Sequence, residues 1–277
     1  MQLLARGRVL DLTAPKVMGV LNLTPDSFSD GGRFIAVNAA VDHALTLIEQ
    51  GATLIDLGGE STRPGAAPVC ESEELDRVMP VVEELLVQTT AWISVDTSKT
   101  AVMSAVIAAG VHLINDVNAL QAPGAVTLLA AAQLPVCLMH RQGLPPTMQQ
   151  SPTYHDVVTE VSTFLAQRLW ACEQAGIQRN QCLIDPGFGF GKTLAHNLLL
   201  MRNLSALQKL NAPLLIGVSR KSMIGQVLNR PLDQRLYGGL ALAVWSVLQG
   251  AQLIRTHDVL ATVDALKMLN AVLSEED

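Results

Sequence analysis

Two sets of residues in this sequence have types and spacing suited to chemistry. The first is Asp96, Asn115, Asp185 and Lys221, each at the end of a short apolar run. It supplies two carboxylates, an amide and an ammonium, with no obvious nucleophile. A carboxylate can accept two parallel hydrogen bonds from an amidine- or guanidine-like edge. The set therefore suits a flat polar heterocycle carrying amino and oxo groups. The second set is Asn22, Thr62, Arg63, Arg255 and His257, whose cations and neutral donors suit a phosphate group. An asparagine oxygen there also suits Mg²⁺, a hard cation that prefers oxygen ligands. Neither a Ser-His-Asp nor a Cys-His relay assembles from these positions, and no His/Cys cluster has zinc spacing.

Between Leu183 and Thr193 the chain reads "LIDPGFGFGKT". A phosphate-cradling P-loop needs glycine, four residues, then Gly-Lys-Ser/Thr. Here Pro186 stands where the first glycine belongs, and the alternation of Gly187, Gly189 and Gly191 also breaks G-x-G-x-x-G. The segment reads instead as a strand-end acid followed by a loop that lets Phe188 or Phe190 fold over a planar ligand. The plainer alternative for both phenylalanines is core packing. Lys192 reads as an exposed or loop-anchoring lysine rather than a phosphate ligand.

The elements that must position these groups follow from the hydrophobic pattern. Eight short β-rich runs recur at 17–23, 53–59, 92–98, 112–117, 135–140, 182–187, 213–219 and 252–258. Continuous apolar runs of this length suit strands buried on both faces. Amphipathic stretches at 38–50, 71–88, 100–109, 124–132, 157–175, 196–210, 233–249 and 260–273 predict the intervening helices. Eight repeats of strand then helix predict an α/β fold, a single-domain (β/α)₈ TIM barrel over residues 1–277. A doubly wound open sheet is the alternative; the unbroken rhythm favours the barrel. The polar strand ends Asn22, Glu60, Asp96, Asn115–Asp116, His140, Asp185, Ser219–Lys221 and Arg255–Asp258 then converge on one mouth. Any single one could be a satisfied polar cap. Two longer connections, 24–37 and 60–70, follow strands and lie on the same face.

Composition limits the partners. Hydrophobic residues make up 49%, charged residues 16%, and the net charge is −6. A large core is expected, whereas a broad nucleic-acid footprint is not. Cys70, Cys137, Cys172 and Cys182 form no CxxC pair and read as reduced packing residues. The start "MQLLARGRVLDL" has no long apolar core of a signal peptide, and no apolar segment reaches about 18 residues. The expectation is a cytoplasmic protein without a membrane partner.

The segments "MGVLNLTPDSFSDGG", "IDLGGESTRPGA", "SVDTSK", "IND", "MHRQG", "DPGFGFGK", "GVSRKSMIG" and "RTHDV" occur in that order between residues 15 and 260. Together they resemble bacterial dihydropteroate synthase. The resemblance implies a (β/α)₈ barrel that joins 4-aminobenzoate to 6-hydroxymethyl-7,8-dihydropterin diphosphate, giving 7,8-dihydropteroate and pyrophosphate for folate synthesis. It implies that Asp96, Asn115, Asp185 and Lys221 grip the pterin, while Met139, Phe190, Gly217 and Arg255 line or stack on the ring. Asn22 would ligate Mg²⁺. With Asn22, the residues Thr62, Arg63, Arg255 and His257 would hold the diphosphate. Phe28, Pro64, Phe190, Lys221 and Ser222 would form the aminobenzoate pocket as the two long loops close. Asp96, Asp185, Lys221, Arg63 and His257 would carry the catalysis.

Departure of diphosphate from a CH₂–pterin carbon gives the implied reaction dissociative character, so stabilising the leaving charge matters more than a strong base. Sulfonamides are expected to compete with 4-aminobenzoate once the diphosphate site is filled. The resemblance, with apolar helices carrying Trp245, Leu248, Leu266 and Leu269, also predicts a homodimer. Three positions depart from the family pattern: Arg141 stands where methionine is common, Gly239 where serine is frequent, and Asn118–Ala119 also differs. Rival readings are a folate-linked methyl transferase, which should lack "TPDSFSDGG" and "STRPGA", and a pterin-binding scaffold without turnover.

Overall fold

The computed structural model describes residues 1–23, 32–61, 67–143 and 147–274. An antiparallel hairpin comes first, made of β1 (Gln2–Ala5) and β2 (Arg8–Asp11). It was not anticipated from the sequence. Its Leu3, Ala5 and Leu10 are buried, and Arg6 Nε donates to the carbonyl of Val111 at 2.9 Å. The hairpin therefore covers the end of the barrel where strands begin.

Eight parallel strands follow: β3 (Lys16–Asn22), β4 (Leu54–Gly58), β5 (Trp92–Asp96), β6 (Leu113–Asp116), β7 (Val136–Met139), β8 (Cys182–Asp185), β9 (Leu215–Ile216) and β10 (Leu253–Thr256). Their order is β8-β7-β6-β5-β4-β3-β10-β9, and a parallel bridge between Ile184 and Leu214 joins the two ends. The sheet closes as a barrel. Each of the eight expected strands is present, although β9 keeps only two ladder residues.

The helices are α1 (Gly32–Glu49), α2 (Glu71–Gln88), α3 (Thr100–Ala109), α4 (Ala125–Ala132), α5 (Val157–Gln174), α6 (Leu194–Arg202), α7 (Ser222–Leu228), α8 (Leu236–Leu248) and α9 (Val259–Leu273). They ring the barrel through apolar stripes. Val78, Val81, Val82 and Leu85 of α2 are fully buried. Burying one such side chain is worth about 1.5–3 kcal/mol, so these four anchor the helix on the sheet. The expected helix 196–210 divides: α6 stops at Arg202, and Leu204–Leu210 continues as a 3₁₀ segment. Asn203 sits at the break, its side chain donating to the Leu199 carbonyl at 2.8 Å. The extra helix α7 starts directly behind Lys221.

Candidate active site at the barrel mouth

Strand register sets the level of each polar group. Asn22 pairs with Gly58, Gly58 with Asp96, and Asp96 with Asn115, so three sequence-predicted residues lie on one rung across four strands. Met139 pairs with Asp185 at the ends of β7 and β8. Arg255 starts lower, beside Met18, and reaches across the barrel with its long side chain. There Arg255 Nε donates to Asp56 Oδ2 at 2.7 Å and Nη2 donates to Asp96 Oδ2 at 3.1 Å.

Asp56 was not among the residues singled out from the sequence. It is fully buried, accepts from Ser94 Oγ at 2.6 Å and from Asn115 Nδ2 at 2.9 Å, and so joins both to Arg255. The signal was present as an aspartate inside the otherwise apolar run "TLIDLGG". A buried carboxylate in a central strand needs partners.

The charges here are held against their preferences. Burial pushes the Asp96 carboxyl up to about 7, against the opposing pull of Arg255. Burial also raises Asp185, which the Gly187 N–H at 2.7 Å and Lys221 counteract. Lys221 is pushed down to about 8 by burial, with Asp185 opposing. Its Nζ lies 4.2 Å from the centre of the Phe190 ring, a cation–π contact. Burial opposes the charge on Arg255, yet Asp56 and Asp96 more than restore it. Shifted groups of both signs gathered at one barrel mouth mark it as the candidate site for a polar ligand.

The loop after β8 has a distinct design. Lys192 is buried, and its Nζ reaches His140 Nδ1 at 2.9 Å, the Gly187 carbonyl at 2.9 Å and the Phe190 carbonyl at 3.2 Å. Of the two readings of Lys192, loop anchor is the one observed. Burial lowers it to about 7. Gly187 (φ 68°) and Gly191 (φ 63°) are left-handed, and a Cβ on either would collide with the carbonyl oxygen of His140 or Gln142. The two phenylalanines divide: Phe188 enters the main core, while Phe190 packs with Val117, Met139 and Met148 near the mouth.

Other strand-end groups make contacts within the protein. Asp116 accepts from the Asn118 and Leu120 N–H groups, both at 2.7 Å. Glu60 pairs with Lys99 at 2.7 Å, and Arg220 with Asp258 at 2.6 Å. His140 packs edge-on against Phe164, and burial with Lys192 nearby lowers it to about 3. His257 Nδ1 lies 3.1 Å from Ser219 Oγ. Gly217 follows β9, with Arg255 beside it, and Ser222 is the exposed first residue of α7. Phe28, Thr62, Arg63 and Pro64 lie outside the described residues. Two departures from the family pattern meet: Arg141 Nη2 donates to Asn118 Oδ1 at 3.0 Å. At the third, a Cβ on Gly239 would find its nearest neighbour 4.0 Å away, so serine would fit.

No group of three or more His, Cys, Asp or Glu suited to a metal occurs among the described residues. Asn22 contributes a neutral oxygen at the exposed end of β3. Such a donor does not make a metal cage alone. It fits an ion completed by substrate oxygens and water, as is usual for Mg²⁺.

Comparison with known proteins agrees with this geometry. The family described as "Pterin binding enzyme" matches residues 18–257. The dihydropteroate synthase of Escherichia coli (strain K12) is 53% identical over 277 residues, covering 100% of this chain and 98% of that protein. The crystal structure of Yersinia pestis dihydropteroate synthase with a sulfonamide drug complex is 55% identical, with a TM-score of 0.93, covering 98% of this chain and 99% of that one. The Xanthomonas albilineans dihydropteroate synthase with 4-aminobenzoic acid is 50% identical, with a TM-score of 0.94 and 99% of both chains covered. Over essentially its whole length, this chain belongs to the pterin-binding enzymes and, among them, to the dihydropteroate synthase family.

Proposed function

We propose that the barrel mouth condenses 4-aminobenzoate with 6-hydroxymethyl-7,8-dihydropterin diphosphate to give 7,8-dihydropteroate and pyrophosphate. The observation that carries this reading is the chain Asn115–Asp56–Arg255–Asp96 of hydrogen-bonded side chains below and at the strand ends, with Asp185 and Lys221 near enough to act on each other's charge. Asp185 and Asn115 would accept from the amino-bearing edge of the pterin, and Lys221 would donate to its oxo side. Met139, Phe190 and Gly217 would bound the ring faces, and Arg255 would stack across the slot. Ser222, at the start of α7, and the neighbouring Lys221 would face the aminobenzoate together with Phe190. The parts assigned to Phe28, Pro64, Thr62 and Arg63 rest on their motifs. With Arg63 and His257, Asn22 would meet the diphosphate.

The chemistry is a substitution at the pterin methylene. The carbon–oxygen bond breaks with its electron pair leaving on diphosphate, the arylamine nitrogen bonds to carbon, and a proton leaves that nitrogen. Asn22 is the residue that would hold Mg²⁺, and the ion would supply neutralising charge for the departing diphosphate. The chain's own task is to grip the pterin, exclude water and stabilise the leaving charge. Sulfonamides, as arylamine mimics, would compete for the aminobenzoate position.

We read residues 1–277 as one domain acting as a homodimer in the cytoplasm. No helix among the described residues is long and apolar enough to cross a membrane. The deciding experiment mixes the protein with the pterin diphosphate, Mg²⁺ and 4-aminobenzoate. Pyrophosphate release that needs all three is expected. Release without the arylamine would instead make the protein a hydrolase, and no release would overturn the assignment.

A further inference from the structure

We propose that Asp56 is a positioning residue of the pterin subsite: from beneath the mouth it fixes the amide orientation of Asn115 and the path of Arg255. The inference rests on the assignment of Asn115 and Arg255 to the pterin made above. Asp56 lies two residues before the end of β4, opposite Ser94 on β5. It has no exposed surface and so offers nothing directly to a ligand. Its two oxygens are nonetheless fully used. Oδ1 accepts from Ser94 Oγ at 2.6 Å, and Oδ2 accepts from Asn115 Nδ2 at 2.9 Å and Arg255 Nε at 2.7 Å. One carboxylate thereby links side chains from β4, β5, β6 and β10.

An ionised carboxylate only accepts hydrogen bonds. Asn115 must therefore turn its amide nitrogen toward Asp56, since the flipped amide would set oxygen against oxygen. That choice leaves its carbonyl oxygen and its second N–H for a ligand. Arg255 is held in the same way. Nε is committed to Asp56 and Nη2 to Asp96, so two carboxylates define the guanidinium plane. Packing alone gives no reason for this arrangement. Buried ion pairs can often be replaced by well-packed apolar residues without loss of stability, so a buried charge here suits a role in geometry. Preorganised groups need such support to hold a productive arrangement.

The test is a double-mutant cycle on affinity for the dihydropterin diphosphate, measured by calorimetry with Mg²⁺ present. Asp56→Asn keeps the shape but replaces an acceptor-only group by an amide that can itself turn. Its expected effect is a loss of affinity of about tenfold, the scale of one hydrogen bond to a charged group. KM for 4-aminobenzoate at saturating pterin should stay unchanged. In an Asn115→Ala background the Asp56→Asn loss should shrink, because the amide it orients is gone. An unchanged affinity in Asp56→Asn, or the same loss in both backgrounds, overturns the proposal. Ser94→Ala leaves the carboxylate in place but removes its Oδ1 partner, and a loss of about threefold is expected, again smaller in the Asn115→Ala background. Should Asp56→Asn fail to fold, Ser94→Ala decides: unchanged affinity there overturns the proposal. Asn115→Ala alone separates the two levels, since unchanged affinity in that variant would sink the subsite assignment itself.

Discussion

Lys221 and Asp96 oppose each other in protonation, and this makes the site's pH dependence predictable. On the proposed assignment of Asp96 and Lys221 to the pterin, binding needs Asp96 ionised and Lys221 charged. Asp96 ionises through about 7, and Lys221 loses its proton through about 8. Pterin affinity should therefore rise with pH through the first value, fall through the second and peak between them. Lys221→Ala should remove the alkaline limb, keep the acid limb and lower turnover. A profile that keeps both limbs would show that Lys221 does not contact the pterin. Stability has its own signs. Between the ordinary carboxyl value of 3.8 and about 7, the folded state holds the Asp96 proton that the unfolded chain has lost. That contribution is present at low pH and is lost as pH rises. For Lys221, between about 8 and 10.5, the unfolded chain holds the extra proton, so its contribution grows with pH. Asp185→Ala and Asp96→Ala should each weaken pterin binding by about 1.5–3 kcal/mol, measured by calorimetry. The strand-end places of these residues were legible because polar groups at the ends of apolar runs are conspicuous. Asp56 was not, because within a strand the sequence does not say which partners will reach it. Those partners come from β5, β6 and β10, which only barrel closure assembles. Lys192 was ambiguous for a similar reason: its acceptors include His140, 52 residues away.

At the scale of elements, the eight strands were readable because runs buried on both faces have no polar alternation to confuse them. The hairpin β1–β2 was missed because each strand has only four residues and its turn is Arg6–Gly7. Both turn residues have positive φ, 52° and 74°, a geometry more often signalled by Asn-Gly. At seven residues, α7 is the shortest of the helices named above. It nevertheless matters to its neighbour. Adjacent glycines on α8 face it differently and make opposite predictions. A Cβ on Gly238 would sit 2.5 Å from Ile224 Cγ2 and 2.9 Å from Leu228 Cδ1, so α7 would have to shift. Gly238→Ala should cost about 1–3 kcal/mol. A Cβ on Gly239 would meet nothing closer than 4.0 Å. Gly239→Ala should gain about 0.5 kcal/mol from reduced backbone freedom in the unfolded chain. Thermal unfolding of the pair checks this, and equal shifts of the same sign would refute the packing of α7 on α8.

At the scale of the whole molecule, α8 and α9 carry exposed apolar side chains, and this bears on assembly. Of the four residues on which the sequence-based dimer expectation rested, two belong to the core: Leu266 is buried, and Leu269 packs against the core cluster. A barrel helix must cover the sheet with one stripe, and these residues do that. Trp245 and Leu248 remain outside, 42% and 51% exposed, and Tyr237 joins them at 81%. At 100° per residue these three fall within one stripe of α8. Beside it, α9 exposes Leu260 and Met268 at 53% and 66%. The Trp245 ring is already fixed at one edge, since Nε1 donates to the Met201 carbonyl at 3.1 Å. Docking a second copy there would order little that is not ordered already, and this lowers the entropic cost of association. A symmetric pairing of the two helices would have to bury on the order of 1,200–2,000 Å² in total to be stable. Sedimentation at micromolar concentration should therefore give twice the chain mass. Leu248→Glu should return it to a single-chain mass by placing an unpaired charge in the contact, while the barrel keeps its unfolding transition. A wild-type mass of one chain would overturn the dimer, and an unaltered dimer in Leu248→Glu would place its interface elsewhere on the barrel.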